Sequence, residues 1–482
     1  MTKFTKILTL AMAFVLILGT LVACGDKQGT PAVTVPGGAT VTGPDDKGFV
    51  YTAPEVDYDN LEFNILTWTE TEEWVMESDV GTTPIDAKTF EHYSMVEHEL
   101  NIDLIIKETA KGSYSYMGDF LAKISMLGEG DDIDLICQYS LTAAQGAIMG
   151  YYVNLLDTRW LNWNAPYWSS DLVETNTFNN QLYYCSGEVT RTSIYNMFLN
   201  VFNHSLANKY GISNLYQLVE DGDWTIATLE ELMKDVYVDL NHNDTRDVQD
   251  LYGQVIPTHN HIDSYQYGCN LISVTKSDMG ELEVNPDLIG DYGVTLTDKL
   301  KQLFHYTNGV YCGTNELPND NAITGETAII QTMIASDVIN KVNPSGIDYG
   351  ILPLPKYNSE QKEYHTCLSM PYSMFSIPAI ARDADMSSAV LESMAHNGYA
   401  RLSPYIFENC LKSRYSIRPE DANMFDYLRN GIIYEPGRTL WDVHLFNFVR
   451  DVVGWQNSLP VYYAQNSERY NRALGDLNFA FS

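Results

Sequence analysis

Apolar and polar positions alternate along Leu61-Glu62-Phe63-Asn64-Ile65-Leu66-Thr67-Trp68, and this period of two predicts a strand. From Ala87 to Leu100 the period lengthens, placing Phe90, Tyr93, Val96 and Leu100 on one helical face. Ile102 to Ile106 predicts a second strand. Phe120, Leu121, Ile124 and Leu127 form another helical stripe, stopped by Gly128. Ile133 to Cys137 predicts a third strand, and Thr142 to Tyr151 a third helix. Strand and helix in alternation build an α/β unit around a mainly parallel sheet. Such sheets bind ligands beyond the carboxyl ends of their strands. Here those ends are Trp68 with its following loop, and Gln138-Tyr139.

Further along, Gln181 to Tyr184 and Met197 to Asn203 predict strands on either side of Gly187 and Arg191. His204 to Tyr210 predicts a helix closed by Gly211. Thr228 and Glu231 have capping-box spacing, and Leu229, Leu232, Met233, Val236 and Leu240 continue that helix in register.

Composition narrows the possible functions. The chain has 482 residues, of which 45% are hydrophobic and 19% charged, so it can bury a large core and is not disordered. Against 29 Lys and Arg stand 63 Asp and Glu, a formal net charge of −34 that repels phosphate backbones and excludes nucleic acid as a partner. The 33 Tyr outnumber the 17 Phe, which suits half-wet surfaces that need an apolar ring with a polar tip.

The amino end carries an address. Lys3 and Lys6 precede an apolar run from Ile7 to Leu18, too short for a permanent span and fitting a secretory signal peptide. Leu21-Val22-Ala23-Cys24-Gly25 then resembles a bacterial lipobox, with cleavage before Cys24 and diacylation of its thiol; the alternative is an ordinary signal peptide beside a chance cysteine. Gly25 to about Asp57 is rich in Gly, Pro and Thr without periodicity, a flexible tether with an r.m.s. span of roughly 30 Å. The chain is therefore expected outside the cytoplasm, anchored to the cell membrane as a lipoprotein with a soluble body. Cys137, Cys185, Cys269, Cys312, Cys367 and Cys410 lack metal spacing and read as buried thiols or, alternatively, three disulfides.

Phe202-Asn203-His204 with Lys209-Tyr210-Gly211-Ile212, followed by Asp223-Trp224-Thr225 before Leu229-Glu230-Glu231-Leu232, resembles the extracellular solute-binding lipoproteins of bacterial ABC importers, family 1, the carbohydrate type. Gly325 to Ile330 and Asp348 to Lys356 match two further stretches of that family. The resemblance implies a two-lobed periplasmic-binding-protein-like fold of type II: two mainly parallel sheets, a hinge and a ligand cleft. It places lobe 1 at about 58–177 plus 376–435 and lobe 2 at 178–375 plus 436–482. Crossovers then fall near Phe178–Leu182, Tyr372–Pro378 and Tyr434–Thr439. It also implies a carbohydrate ligand, permease transmembrane subunits as partners, and a monomer.

Sugar binding calls for flat rings against pyranose C–H faces, with polar groups for the hydroxyls. Trp68 and Glu70 supply both at a strand's carboxyl end, while Trp74 can instead pack the next helix. Tyr139 follows the third strand. Arg191 either lines the cleft or pairs with Glu188. The resemblance adds Tyr265 and Tyr267, Tyr372 at the second crossover, and Trp441 after the third. Asp239, Asn241, Asn243, Thr245 (through its carbonyl), Asp247 and Asp250 have the EF-loop spacing of a structural Ca²⁺ site, with Asp244 in place of the usual Gly and Asp250 in place of Glu. No G-x-S-x-G, H-E-x-x-H, P-loop or G-x-G-x-x-G occurs, so no enzyme is expected. A lipid-anchored glycoside hydrolase and a non-transport glycan-binding lipoprotein are the alternatives.

Overall fold

A computed structural model describes residues 49–482 of the chain, except 72, 76–82, 129, 316–317, 414–417 and 441–442. The first period-two run forms β1, Leu61–Trp68, buried from Phe63 onward. Helix α1, Pro84–Leu100, starts at Thr83, whose hydroxyl accepts the Asp86 N–H, with proline in the first turn where no donor is needed. Asn101, left-handed at φ 51°, ends it and turns the chain into β2, Ile102–Ala110. Helix α2, Met117–Ser125, β3, Leu135–Tyr139, and α3, Ser140–Ile148, complete the alternation. Both β2 and β3 run parallel to β1, with Leu61 opposite Ile102 and Ile65 opposite Leu135.

A second sheet collects β4, Phe198–Asn203, β5, Tyr237–Val238, and β6, Leu251–Ile256. Helix α4, Ile226–Met233, precedes β5, and α5, Ile262–Gly268, follows β6. A small hairpin pairs β7, Val274–Lys276, with β8, Leu282–Val284. Next come β9, Val310–Cys312, β10, Ala328–Ile334, and β11, Tyr349–Leu352. The order is β11-β4-β10-β6-β5, with β9 beside β6. This sheet is mixed rather than mainly parallel: β9 and β10 run with β6, while β4 opposes both β10 and β11. The reason is connectivity, because β4 receives the chain from the first lobe and β11 leads back to it.

The return strand β12, Ser373–Ser376, adds antiparallel to β3. Beside it runs the outgoing segment: Cys185 and Phe375 exchange both backbone hydrogen bonds at 2.9 Å. This pairing of two crossing segments ties the sheets together. Gln181 to Tyr184 is accordingly irregular, with isolated bridges at Gln181 and Cys185 instead of a strand.

Within 376–435, α6, Ala384–Asn397, packs on α1, whereas α7, Pro419–Asn430, packs on β11. Asp421 of α7 accepts the Ile351 N–H at 3.0 Å. The chain ends through α8, Pro436–Thr439, α9, Phe448–Gly454, and α10, Leu459–Ala480. Asn478 brackets Leu282 with two hydrogen bonds, fastening α10 to the hairpin.

The α4 expectation needs correcting at both ends. Thr225, not Thr228, caps the helix by accepting the Thr228 N–H, and the helix stops at Met233. Val236 and Leu240 continue the period on paper, but β5 pairs here with β6, and Gly309 passes so close that a Cβ on it would collide with the Met233 carbonyl.

The six cysteines are thiols, all buried except the partly exposed Cys312. Burial pushes the Cys312 and Cys367 thiols up to about 12.

Buried histidines give the fold a pH dependence. Burial, aided by Arg401, holds His92 and His396 at about 3, and His396 stacks on Tyr51 with ring centroids 3.5 Å apart. The unfolded chain protonates these rings near pH 6.5 and the folded chain does not, so stability falls as pH drops through 6.5. Each ring should cost about 1.3 kcal/mol at pH 5.5 relative to pH 7. Asp263, Glu392 and Glu435 are raised by burial and act in the opposite sense. The comparison that isolates the rings is therefore denaturant unfolding at both pH values for wild type and His396→Asn. His261, lowered by burial to about 4, adds a contribution of similar size, so the variant should lose no more than about a third of the histidine-linked acid sensitivity; equal sensitivity in both proteins would refute the assignment.

Candidate ligand site between the two lobes

At the carboxyl end of β1, the Trp68 ring is 1% exposed and meets Tyr139 edge-on, centroids 5.4 Å apart at 63°. Its Nε1 has no hydrogen-bond partner among the described residues. Gly112 backs the indole so closely that a Cβ there would lie 2.6 Å from the Trp68 Cβ. Glu70 folds onto the loop after β2, accepting the Gly112 N–H at 2.8 Å and the Ser113 hydroxyl at 2.7 Å. Partial burial pushes its carboxyl up, but these donors outweigh it and hold the group below the usual range.

Helix α8 brings a cation close to this place. Arg438 on α8 is buried, donates to the Leu368 carbonyl at 2.9 Å, and lies 3.5 Å from Asp263 Oδ2. Its guanidinium sits over the Tyr267 ring, 5.1 Å from the centroid. The same charge offsets part of the upward push of burial on the Tyr139 and Tyr372 phenols. Arg438 thus lies over Tyr267 and within electrostatic reach of Tyr372 and of Tyr139, the ring that Trp68 meets. Arg450 on α9 approaches the same carboxylate at 3.9 Å. Among the described residues, Asp263 Oδ1 and Glu435 Oε2 have no partner, although both side chains are buried.

Other expected residues lie elsewhere. The Tyr265 hydroxyl is held by Gln254, by Thr332 at 2.8 Å and by Asn200 at 3.4 Å, and its ring meets Phe304, which turns it into the second sheet. Arg191 does not pair with Glu188. It bonds Asp86 at 3.1 Å and Thr89 at 3.2 Å, tying the crossover to α1, while Glu188 pairs with Arg429 at 3.1 Å. Trp74 packs on Tyr93 of α1 at 4.9 Å, and its Nε1 donates to Thr67. Trp441 and Cys24 lie outside the described residues.

Sequence reasoning missed Arg438, Arg450 and the partnering of Asp263. The available signal was Pro436-Gly437-Arg438 inside the expected third crossover, in a chain with few cations.

The loop from Asp239 to Asp250 is wound by its own side chains. Asp239 accepts the Asn243 and Asp244 N–H groups, Asn241 accepts Asn243, and Asn243 accepts Thr245. Asp247 accepts the Gln249 N–H and the Asn241 and Asn243 amides, which together hold its carboxyl below the usual range. His242 and Asp244 are left-handed at φ 57° and 56°, as the turn requires without glycine. Asp250 is fully buried, with its oxygens engaged by Leu240, Asp247 and Tyr237. It is a strut closing the loop instead of an oxygen facing its mouth. Among the described residues, no group of three or more His, Cys, Asp or Glu is gathered in a metal-holding arrangement.

No family profile matches the chain, and no curated protein does. Solved structures do. The cyclic α-maltosyl-1,6-maltose binding protein of Arthrobacter globiformis is 10% identical, covers 86% of this chain and 99% of its own, and superposes with a TM-score of 0.59. The GacH receptor of Streptomyces glaucescens, solved unliganded and with acarbose, is 14% identical over 86% of this chain and 100% of its own, at 0.53. UgpB of Mycobacterium tuberculosis, solved with glycerophosphocholine, is 12% identical over 86% of this chain and 98% of its own, at 0.51. At such identities the likeness speaks for architecture: this chain has the two-lobed α/β fold of the periplasmic solute-binding proteins.

Proposed function

We propose that the chain is the extracytoplasmic solute-binding subunit of an ABC importer, capturing a sugar or oligosaccharide by hinge closure and delivering it to the permease. The observation that carries this reading is the cluster at the lobe junction. It combines tyrosine rings with a buried cation, and adds the Asp263 and Glu435 carboxylate oxygens that have no hydrogen-bond partner among the described residues. Pyranose C–H faces suit the rings and sugar hydroxyls suit the unpartnered atoms. Ligand burial between the lobes stabilises the closed state, which the permease reads; no covalent step is involved. Of the solved structures above, one is named for binding a cyclic maltosyl-maltose and another was solved with acarbose, which supports the class. The test is a thermal-shift screen against an oligosaccharide panel, since a ligand at 100 times its Kd adds about 2.7 kcal/mol. A panel that leaves the melt unmoved counts against the reading, and release of new reducing ends would favour the glycoside hydrolase.

Anchoring rests on the lipobox. The Leu21–Gly25 motif supports attachment through acylated Cys24; among the described residues no helix is long and apolar enough to cross a membrane. Cys24→Ala should move the protein from the membrane fraction to the soluble one; continued sedimentation with membranes would refute the anchor.

The loop at 239–250 is assigned a structural Ca²⁺, held by Asp239, Asn241, Asn243, the Thr245 carbonyl and Asp247. All are hard oxygen donors of the type calcium takes. EDTA should lower the melting temperature, Ca²⁺ should restore it, and Asp239→Ala should abolish both responses. A melt indifferent to chelator would leave the loop a self-capped turn.

A further inference from the structure

The second lobe carries an aromatic patch outside the junction cluster. Trp455, at the end of α9, is 70% exposed, the most exposed tryptophan among those described. Tyr306 is 63% exposed, and its hydroxyl donates to Gln456 Oε1 at 2.7 Å. This bond orders Gln456 beside the indole and leaves its amide N–H groups available. The His259 ring lies 6.2 Å from the Trp455 ring. Asn260, next in the chain, donates to Asn315 at 3.0 Å. The patch is therefore flat aromatic surface edged by amides. Trp455 and Tyr306 are two exposed rings linked through Gln456, and exposed apolar area rimmed by polar groups is where binding surfaces form.

What covers it follows from its position and chemistry. Helix α9 packs against both His259–His261 and α5, and one face of it carries Arg450 to Asp263 in the junction cluster. The same short helix thus joins the cluster to Trp455. The polar groups placed beside the two rings are the Gln456 amide and the His259 imidazole, with the Asn260 amide next in the chain. We propose that Trp455, with Tyr306 and Gln456, is an outer subsite for a neutral saccharide unit, so that the ligand is an extended oligosaccharide whose chain runs from the lobe junction across α9. This rests on the sugar-binding reading above and adds chain length to it.

The test is calorimetric titration of the full chain with gluco-, xylo- and galacto-oligosaccharide ladders, from disaccharide to heptasaccharide. Wild type, Trp455→Ala and Trp455→Phe are compared. In the ladder that binds, wild-type affinity should climb with chain length. Trp455→Ala should flatten the climb, with a loss of roughly tenfold for the longest member, the size of one lost stacking contact, and no more than about twofold for the disaccharide. Trp455→Phe should restore most of the climb. Because the side chain is exposed, all three proteins should melt alike. A Trp455→Ala protein with the wild-type length dependence overturns the subsite and leaves the sugar-binding reading standing. Wild-type affinity independent of length does the same. If no ladder binds to wild type, both fall.

Discussion

Trp68→Ala is expected to cost about 3–5 kcal/mol of stability, since the ring is packed on all sides by protein. Placement at a strand's carboxyl end argues for a stacking platform, in which case truncation would weaken binding and spare the unliganded melt. The structure changes that expectation: Trp68 is 1% exposed, lies edge-on to Tyr139, and has Gly112 against its Cβ. Truncation removes the ring's transfer free energy and leaves a cavity that Gly112, without a side chain, cannot fill. The denaturant midpoint should drop with the m-value unchanged. An unliganded midpoint equal to wild type, with binding lost, would show instead that the indole is uncovered when the lobes part and meets the ligand directly.

A loss of similar size is expected for Asp263→Ala, for a different reason. Its carboxylate is the shared partner of Arg438 and Arg450, and all three side chains are largely withdrawn from water. Removing the acid leaves Arg438 buried without its counter-charge, held by the Leu368 carbonyl and the Tyr267 ring. Breaking a buried pair on one side costs about 3–5 kcal/mol, mostly the penalty for the stranded charge. Arg438→Met in the Asp263→Ala background should therefore recover a large part of the loss, and the double-mutant cycle should give a coupling well above the error of the single measurements. Additive losses would mean that the two groups do not share an environment.

The first sheet was legible in the sequence because its signals are local. The period of two at Leu61–Trp68, the stripe before Asn101 and the short apolar run ending at Tyr139 each needed only neighbours in sequence. Val236 and Leu240 misled for the opposite reason: strand pairing with Leu251 and Tyr252, and the close approach of Gly309, decide their conformation. The second sheet's mixed directions likewise follow from where the chain re-enters. At the site, Trp68 and Tyr139 could be named because parallel strands present their carboxyl ends together. The Arg438–Asp263 pair joins residues 175 positions apart, and no spacing announces it. The partners of Arg191 and Tyr265 were missed for the same reason: each side chain is claimed by a residue far off in sequence, Asp86 105 positions away for one and Thr332 67 positions away for the other.

The central claim is capture by closure without turnover. Small-angle scattering of the full soluble chain, recorded during titration with the oligosaccharide that moves the melt most, tests it directly. The account predicts a saturable contraction of the particle, with a midpoint equal to the calorimetric Kd and the saccharide recovered intact. An unchanged scattering profile at saturation, or recovery of cleaved saccharide, would contradict it.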